Sequence, residues 1–276
     1  MTKALVLRTT DSGGRSYGGF QWPKTIDEEV VAPDWKDNPE CGGGLHGWLY
    51  GAGEHSCTKF RGEDALWWVI EIEFESAVML IGKVKFPKGI VRFFGDRKSA
   101  TDYLYENEEK SRLVEVIGAC RADLREKANV FVGALGHATA GFRGTAVAGD
   151  EGTATVGALG SATAGFRGTA VAGNRGTATV GAGGSATAGF RGEAVVGDEG
   201  TATVGDLGHA TAGFRGTAVA GYGGTATADE DGVIAIGYID KKAIRGRRKI
   251  GQVGGNCLKP NVKYRVNDRG EFEAVK

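Results

Sequence analysis

The sequence predicts two structural parts, an α+β N-terminal domain followed by an all-β solenoid, with a β-hairpin cap at the C-terminal end. Composition divides the chain first. All five tryptophans precede residue 70, none of the five prolines lies within 133–236, and more than half of the 48 glycines do. The second observation is an eight-residue period that runs through the glycine-rich part. We therefore expect a conventional core in the first part and stacked repeats in the second.

Residues 1–120 are expected to form the globular α+β domain. Runs of apolar residues, alternating or nearly continuous, predict strands at residues 4–7, 65–74, 78–84 and 90–94. A helix is expected from Ser99 to Glu109, with Asp96 or Ser99 as its cap. Residues 113–119 are expected to extend the sheet. Residues 121–132, charged and then apolar, are expected to form a junction.

The solenoid is expected over residues 133–236. Twelve consecutive octads of the form G-x-x-G-x-A-[T/V]-[A/V] begin at Gly133, and a thirteenth, DEDGVIAI at 229–236, keeps only the second glycine. The last four residues of an octad alternate, so a short strand points threonine to one side and alanine or valine to the other. The glycines of G-x-x-G are expected to take positive φ in the turns between strands. Stacking the units buries the small side chains as one ribbon.

The number of octads in each coil is open to two interpretations. The segment Gly-Phe-Arg-Gly recurs every third octad, at 141, 165, 189 and 213, which favours a triangular β-helix with three octads per coil. A triangle of this size encloses more space than alanine side chains fill at native packing density. We therefore favour a two-sided β-roll with two octads per coil. In that roll Phe142, Phe166, Phe190 and Phe214 alternate between the two edges.

Residues 237–276 contain a basic segment and a predicted hairpin. Six of the nine residues in 241–249 are basic, and 262–275 alternates around Asn267-Asp268-Arg269-Gly270. An in-register stack leaves open backbone groups at its last coil, which natural solenoids cover with atypical units. We expect residues 229–276 to be that cap, with Ile234 and Ile236 filling the open end.

Charge and cysteine content limit the classes of partner. The chain has 34 basic and 34 acidic residues, so no overall field attracts nucleic acid, and the basic run at 241–249 is short. No apolar run is long enough to cross a bilayer, and four cysteines are too few for a disulfide framework. We expect a protein in a reducing compartment, with no cofactor and with a protein partner or self-association.

The segment 18–50 is the most distinctive part of the first domain. It contains Gly18-Gly19-Phe20-Gln21-Trp22-Pro23 and, further on, Cys41-Gly42-Gly43-Gly44-Leu45-His46-Gly47-Trp48. These residues resemble the signature of an uncharacterised domain family of bacteriophage and bacterial proteins, in which similar octads often follow. The resemblance covers roughly residues 3–105 and implies a phage-type origin without any activity.

The function expected from this resemblance is that of a non-enzymatic, phage-type structural or interaction protein. The solenoid is then a rigid spacer or binding surface and the N-terminal domain binds a partner, in the host cytoplasm or on a virion. The residues expected to bind a ligand are Arg8, Trp22, Trp35, His46 and Trp48.

The same region offers zinc-ligand residue types. Cys41, His46, His55 and Cys57 fall within seventeen residues. Their spacing is poor because no C-x-x-C occurs and His55-x-Cys57 is tight for two ligands. A buried cysteine with exposed histidines explains the pattern equally, so we expect no metal.

An enzymatic alternative is a nucleotide-binding, ADP-ribosyltransferase-like domain. Arg8 ends a predicted strand, Gly42 to His46 is reminiscent of a glycine-rich strand beside a nicotinamide pocket, and Glu73 offers a carboxylate. Arg8 or His46 would hold the dinucleotide and Glu73 would stabilise the transition state. This is analogy at the level of the fold, and it requires the three side chains to converge on one pocket.

The repeat also raises the question of ice binding, since threonines two residues apart on a flat face order water. Thr-x-Thr occurs in only a third of the octads, at 153, 177, 201 and 225. In a two-sided coil these octads alternate between faces. The pattern of single octads therefore argues against ice binding.

Overall fold

The computed structural model describes residues 2–240, 245–254 and 258–275. It is mostly β, and it divides into two compact units. The first unit comprises residues 1–120 with 132–135, and the second comprises 121–131 with 136–276. No helix among the described residues is long and apolar enough to cross a membrane.

The first unit is built on a seven-stranded antiparallel sheet and one α-helix. The sheet order is β2-β7-β4-β1-β3-β6-β5. Its strands are β1 (Lys3–Thr10), β2 (Glu29–Val31), β3 (Leu45–Leu49), β4 (Leu66–Glu73), β5 (Val78–Leu80), β6 (Lys83–Phe86) and β7 (Lys88–Gly95). The helix α1 (Arg97–Asn107) follows, and the Asp96 side chain accepts a hydrogen bond from the Ser99 amide at its start, at 3.0 Å.

The central strands β1 and β4 are buried almost throughout. This explains their nearly continuous apolar sequences, because both faces of the sheet are covered. On one face Val6, Trp22, Trp68 and Phe86 belong to the main hydrophobic cluster. Helix α1 contacts β1, β4 and β7, with Leu104 fully buried.

Two predictions for the first unit were wrong in detail. The segment 78–84 is two strands rather than one, because Gly82 turns the chain at φ +72° and lets β5 pair with β6. The segment 113–119 is not a strand. A 3-10 helix spans Glu109–Leu113, and Gly118, at φ +74°, interrupts the extended backbone that follows.

The second unit contains the solenoid. Its strands are β8 (Cys120–Asp123), β9 (Asn129–Val132), β10 (His137–Ala140), β11 (Thr145–Ala148), β12 (Thr153–Val156), β13 (Ser161–Ala164), β14 (Thr169–Ala172), β15 (Thr177–Val180), β16 (Ser185–Ala188), β17 (Glu193–Val196), β18 (Thr201–Val204), β19 (His209–Ala212), β20 (Thr217–Ala220), β21 (Thr225–Ala228) and β22 (Val233–Asp240). Even-numbered strands form one sheet and odd-numbered strands to β21 form the other. The segment expected to be a junction supplies β8 and β9, which lie next to β10 and β11.

The coil contains sixteen residues. Each repeat strand pairs in parallel with the strand two octads further on, as Thr153 does with Thr169 and Ala154 with Ala170. The predicted two-sided roll is therefore confirmed over the triangular helix, with about seven coils. The inward positions are buried alanine and valine, such as Ala178 at 0 % exposure, so the two sheets approach closely around a thin core.

The turns differ from the prediction in one respect. Positive φ occurs at the third residue of every octad, as at Arg143 (φ 56°) and Leu159 (φ 61°), and not at the two glycines that define the repeat. Those glycines are required because the next chain segment is too close. A Cβ at Gly176 would lie 2.9 Å from both the Ala172 Cβ and the Gly160 oxygen.

The second residues of the octads lie at the two edges of the roll. Since successive coils are sixteen residues apart, Phe142 and Phe190 lie on one edge and Phe166 and Phe214 on the other, as predicted. The Asn174 Oδ1 accepts a hydrogen bond from the Phe190 amide of the next coil, at 3.0 Å. Equivalent bonds join Asp150 to Phe166, Asp198 to Phe214 and Asp206 to Tyr222.

The repeat ends in larger strands. β22 pairs in parallel with β20 and buries Ile234 and Ile236, at 0 % and 1 % exposure. β23 (Arg245–Gln252) then pairs antiparallel with β22, and β24 (Tyr264–Val266) pairs antiparallel with β21 and with β25 (Phe272–Ala274). Residues 241–244 of the predicted basic run lie outside the described residues.

Candidate functional site

The outer surface of the even-numbered sheet carries a continuous column of hydroxyl groups. The first residue of each strand points outward, and the register stacks these residues directly over one another. Five successive coils present threonine or serine there, namely Thr153, Thr169, Ser185, Thr201 and Thr217. The parallel column two residues further along each strand is formed by Thr155, Val171, Thr187, Thr203 and Val219. We call the ten residues of these two columns the hydroxyl face.

The hydroxyl face is regular and uncharged. Adjacent coils are about 4.8 Å apart and the two columns about 6.6 Å apart, as in any parallel sheet. The odd-numbered sheet lacks this continuity, because Glu193 and His209 interrupt its first column between Thr177 and Thr225. The column is not visible in single octads, because its residues belong to every second octad.

The first unit contains a cavity of about 610 Å³. Its walls come from the end of β1, most of β3, the glycine-rich segment before β3, and two aromatic loops. The lining includes Arg8, Thr9, Tyr17, Phe20, Asp34, Cys41, Gly42, Gly44, His46, Trp48, Cys57, Thr58, Phe60 and Lys83. Part of this set, including Tyr17, Phe60 and Lys83, was not predicted, because no local sequence pattern connects these residues with Arg8 and His46.

The structure brings three of the five predicted ligand-binding residues to this cavity. Arg8, His46 and Trp48 line it. Trp22 lies in the core, with its ring centroid 3.9 Å from the Arg8 guanidinium carbon. Trp35 packs against the same core and against Gly44, where an added Cβ would be 2.9 Å from the Trp35 ring.

Two of the basic side chains of the cavity, Arg8 and His46, have lowered pKa values. Burial lowers the pKa of Arg8 to about 9. Burial, aided by Lys83 and Arg8, lowers the pKa of His46 to about 4, so its ring is neutral at pH 7. The His46 Nε2 accepts a hydrogen bond from the Gly42 amide at 3.4 Å, which leaves the ring proton on Nδ1.

The cysteines of the predicted zinc set lie at the same cavity. Cys41, His46 and Cys57 line it, but His55 does not. The Lys83 Nζ donates to the Cys41 Sγ at 3.1 Å, and burial raises the pKa of the Cys57 thiol. Among the residues that the structure describes, no group of three or more His, Cys, Asp or Glu side chains is placed to hold a metal ion.

The catalytic trio of the enzymatic alternative is not assembled. Glu73 pairs with Lys3 at the first end of β1, whereas Arg8 pairs with Trp68 near the other end. Five residues of extended chain separate the two positions by roughly 17 Å. Arg8 and His46 share the cavity and Glu73 lies outside it, so the hypothesis that all three converge is wrong.

Comparison with known proteins identifies relatives of only part of the chain. An ice nucleation protein of Pseudomonas fluorescens is 33 % identical over 127 residues, which is 45 % of this chain and 10 % of the relative. Ice nucleation proteins of Xanthomonas campestris pv. translucens and Pseudomonas syringae are 35 % and 34 % identical over 107 and 106 residues, covering 38 % of this chain and 7 % and 9 % of theirs. The chain thus spans a tenth or less of the length of these relatives. No family model and no solved structure matches it.

These relatives correct the function expected from the sequence. They are bacterial and are named ice nucleation proteins, which contradicts the expected phage-type structural or interaction protein. The expected location in a host cytoplasm or on a virion rested on the same origin and is wrong for the same reason. The chain therefore combines a β-solenoid that has one unbroken hydroxyl face with a partial similarity to several bacterial ice nucleation proteins.

Proposed function

We propose that the solenoid organises water into an ice-like layer on its hydroxyl face. The single observation that carries this proposal is the five-coil column Thr153, Thr169, Ser185, Thr201 and Thr217. Its hydroxyls repeat at the strand spacing of about 4.8 Å and the second column lies about 6.6 Å away, so the face presents a regular two-dimensional array of hydroxyl and methyl groups. The partial similarity to ice nucleation proteins supports the same assignment.

The face suits this role because it is flat, rigid and uncharged. Small buried residues such as Ala170 and Ala186 hold the two sheets close together, and each strand is hydrogen-bonded to the coils on either side. Each threonine presents a hydroxyl group, which forms hydrogen bonds with water, and a methyl group, which does not. Water is therefore held at fixed points of the face and kept away from others. A charged side chain in the column would hold its own hydration shell and disrupt this order.

The test is a droplet-freezing assay of the full chain. Lysine at Thr169, Ser185 and Thr201 places charge in the centre of the column, and we expect the median freezing temperature to fall to that of buffer. The matched control places lysine at Thr145, Ser161 and Thr177 of the odd-numbered sheet, which are also three successive first-column positions, and should freeze like the unaltered chain. Circular dichroism checks that both variants remain folded. Equal freezing temperatures for the two variants would show that the hydroxyl face is not responsible for freezing.

We further propose that copies of the chain associate side by side through the edges of the roll. One edge, which we call the acidic edge, carries Asp150, Glu151, Asp198, Glu199, Glu230 and Asp231 beside Arg167 and Arg215. The opposite basic edge carries Arg143, Arg175 and Arg191 with Asp206. The edges are complementary in charge, and each exposes phenylalanine, as at Phe166 (47 %) and Phe190 (42 %).

Lateral contact between unlike edges is heterologous, and it extends into an open array when neighbouring copies are related without a closing rotation. It would align the hydroxyl faces of neighbouring copies and enlarge the ordered surface. Sedimentation velocity tests this proposal. Arg143→Glu with Arg191→Glu should abolish association, and raised salt should weaken it. Arg167→Glu with Arg215→Glu, which makes the acidic edge more acidic, should preserve it. Monomers of the unaltered chain at every concentration would exclude the edge contact.

A further inference from the structure

The Arg8 side chain is a buried cation without a counter-ion among the described residues. It is 9 % exposed, and its guanidinium lies against the Trp22 ring. The one hydrogen bond that the described residues give this guanidinium runs from Nη2 to the Thr9 carbonyl oxygen at 3.4 Å, and its Nε has no acceptor. Burying a charge in this state is unfavourable unless something else compensates it.

A second buried cation in the same unit shows what a satisfied one looks like. Lys85 is 0 % exposed. Its Nζ donates to the Asn38 Oδ1 at 2.7 Å and to the backbone carbonyl oxygens of Glu40, at 2.9 Å, and Gly42, at 3.3 Å. All three donors of this ammonium are used. Lys85 is therefore a fully hydrogen-bonded buried cation, whereas the described residues give the Arg8 guanidinium only one acceptor.

Arg8 faces the 610 Å³ cavity, which has the size of a small-molecule site. One wall is formed by glycine backbone, since Gly42 and Gly44 line the cavity and carry no side chain. Another wall is aromatic, with the Tyr17 and Phe60 ring centroids 5.6 Å apart. The cavity thus combines a guanidinium whose Nε lacks an acceptor with an aromatic wall.

The charge of the lining selects the class of ligand. It contains Arg8, Lys83 and Asp34, and His46 is neutral at pH 7. One excess positive charge matches a monoanion better than a multiply charged phosphate. One face of the guanidinium is covered by Trp22, which leaves its edge for the two parallel hydrogen bonds that arginine makes with carboxylates.

We propose that this cavity binds a small aromatic carboxylate, with Arg8 as the anchor of its carboxyl group and the walls around Tyr17 and Phe60 holding its ring. This inference is independent of ice-like water ordering by the solenoid. It assigns a binding site to the first unit.

Isothermal titration calorimetry of the full chain tests the assignment with benzoate, 4-hydroxybenzoate and indole-3-carboxylate. At least one carboxylate should bind, and its neutral amide and inorganic phosphate should bind roughly tenfold or more weakly. Arg8→Met should weaken carboxylate binding by roughly 10- to 100-fold. The control Arg92→Met removes an arginine that is paired with Glu71 and Asp27 on the same sheet and should leave binding unchanged.

Tryptophan fluorescence establishes whether each variant is folded, because all five tryptophans lie in the first unit. If Arg8→Met does not fold, Arg8→Lys keeps the charge but removes the fork, and it should weaken binding about tenfold. The proposal is overturned if none of the carboxylates binds, if phosphate binds as tightly as they do, or if the folded Arg8 variant retains full affinity.

Discussion

At the scale of single residues, the solenoid depends on side-chain size more than on polarity. Inward positions are alanine or valine, and Ala178 is stacked between Ala162 and Ala194 of the neighbouring coils. Outward positions tolerate threonine, serine, glutamate and histidine in the same column. A thin interior leaves no room for a larger residue, whereas the outer surface has no such limit.

Leucine at position 178 should therefore be destabilising. Ala178→Leu adds volume to a closed core and should cost about 1–3 kcal/mol of unfolding free energy. Thr177→Leu, one residue away on the outer surface, should change stability by less than about 0.5 kcal/mol. Urea unfolding followed by circular dichroism measures both. Equal losses would mean that the inner and outer faces are exchanged.

His46 should make the stability of the first unit depend on pH. Its pKa of about 4 in the folded protein lies below its ordinary value of 6.5. Between pH 6.5 and 4 the unfolded chain binds a proton that the folded chain does not, so stability falls as the pH falls through this range. Above pH 6.5 the His46 ring is neutral in both states, so it makes no contribution to the pH dependence of stability.

Urea unfolding followed by tryptophan fluorescence at pH 7.5 and pH 5 measures this dependence in the full chain. His46→Asn should reduce the loss of stability between the two pH values, while the control variant His55→Asn should retain it. An unchanged loss in His46→Asn would show that other groups cause the pH dependence.

At the level of the structural element, each octad consists of a turn and a strand, and the two place different requirements on the residue types that form them. The strands and their two-sided stacking followed from the period and from the small volume of alanine. The turn conformation did not, because glycine at the first and fourth positions suggested positive φ there. Positive φ occurs at the third position, which holds arginine, glutamate, leucine or aspartate in all octads except two that have glycine. None of these four residue types is a strong indicator of positive φ.

The fourth glycine should be the sensitive position of the turn. Gly176→Ala places a Cβ 2.9 Å from the Gly160 oxygen of the preceding coil, and we expect a cost of about 1–3 kcal/mol. The control Arg175→Ala changes an exposed side chain and should cost less than about 0.5 kcal/mol. Thermal melts followed by circular dichroism compare them. A neutral Gly176→Ala would show that glycine is not needed for close approach.

The candidate sites were only partly predictable at this scale. Arg8 and His46 were chosen from local sequence, and both line the cavity. Among the residues that the structure describes, no counter-ion lies at Arg8, and this depends on several loops, which no local pattern reveals. Glu73 was misplaced because the register of β1 with β4 sets its distance from Arg8, and sequence alone does not specify that register.

At the scale of the whole molecule, the roll must end without exposing a template for further strands. After the last regular coil, β22 to β25 extend both sheets with larger or antiparallel strands. Ile234 and Ile236 replace alanine at the inward positions and are fully buried. The edge strand β23 includes Arg247, Arg248 and Lys249, and charge of this kind opposes edge-to-edge pairing.

Truncation after Ala228 should therefore expose the last coil. We expect concentration-dependent aggregates or fibres, measured by light scattering, and a lower melting temperature than that of the full chain. A truncated chain that stays monomeric and equally heat-stable would contradict the capping role of residues 229–276.

Partition of labelled protein into slowly growing ice tests whether the hydroxyl face of the solenoid binds ordered water. The unaltered chain and the lysine variant of the odd-numbered sheet should become enriched in the ice. The variant with lysine at Thr169, Ser185 and Thr201 should remain in the liquid. Enrichment of that variant in the ice, or exclusion of the unaltered chain, would contradict the account.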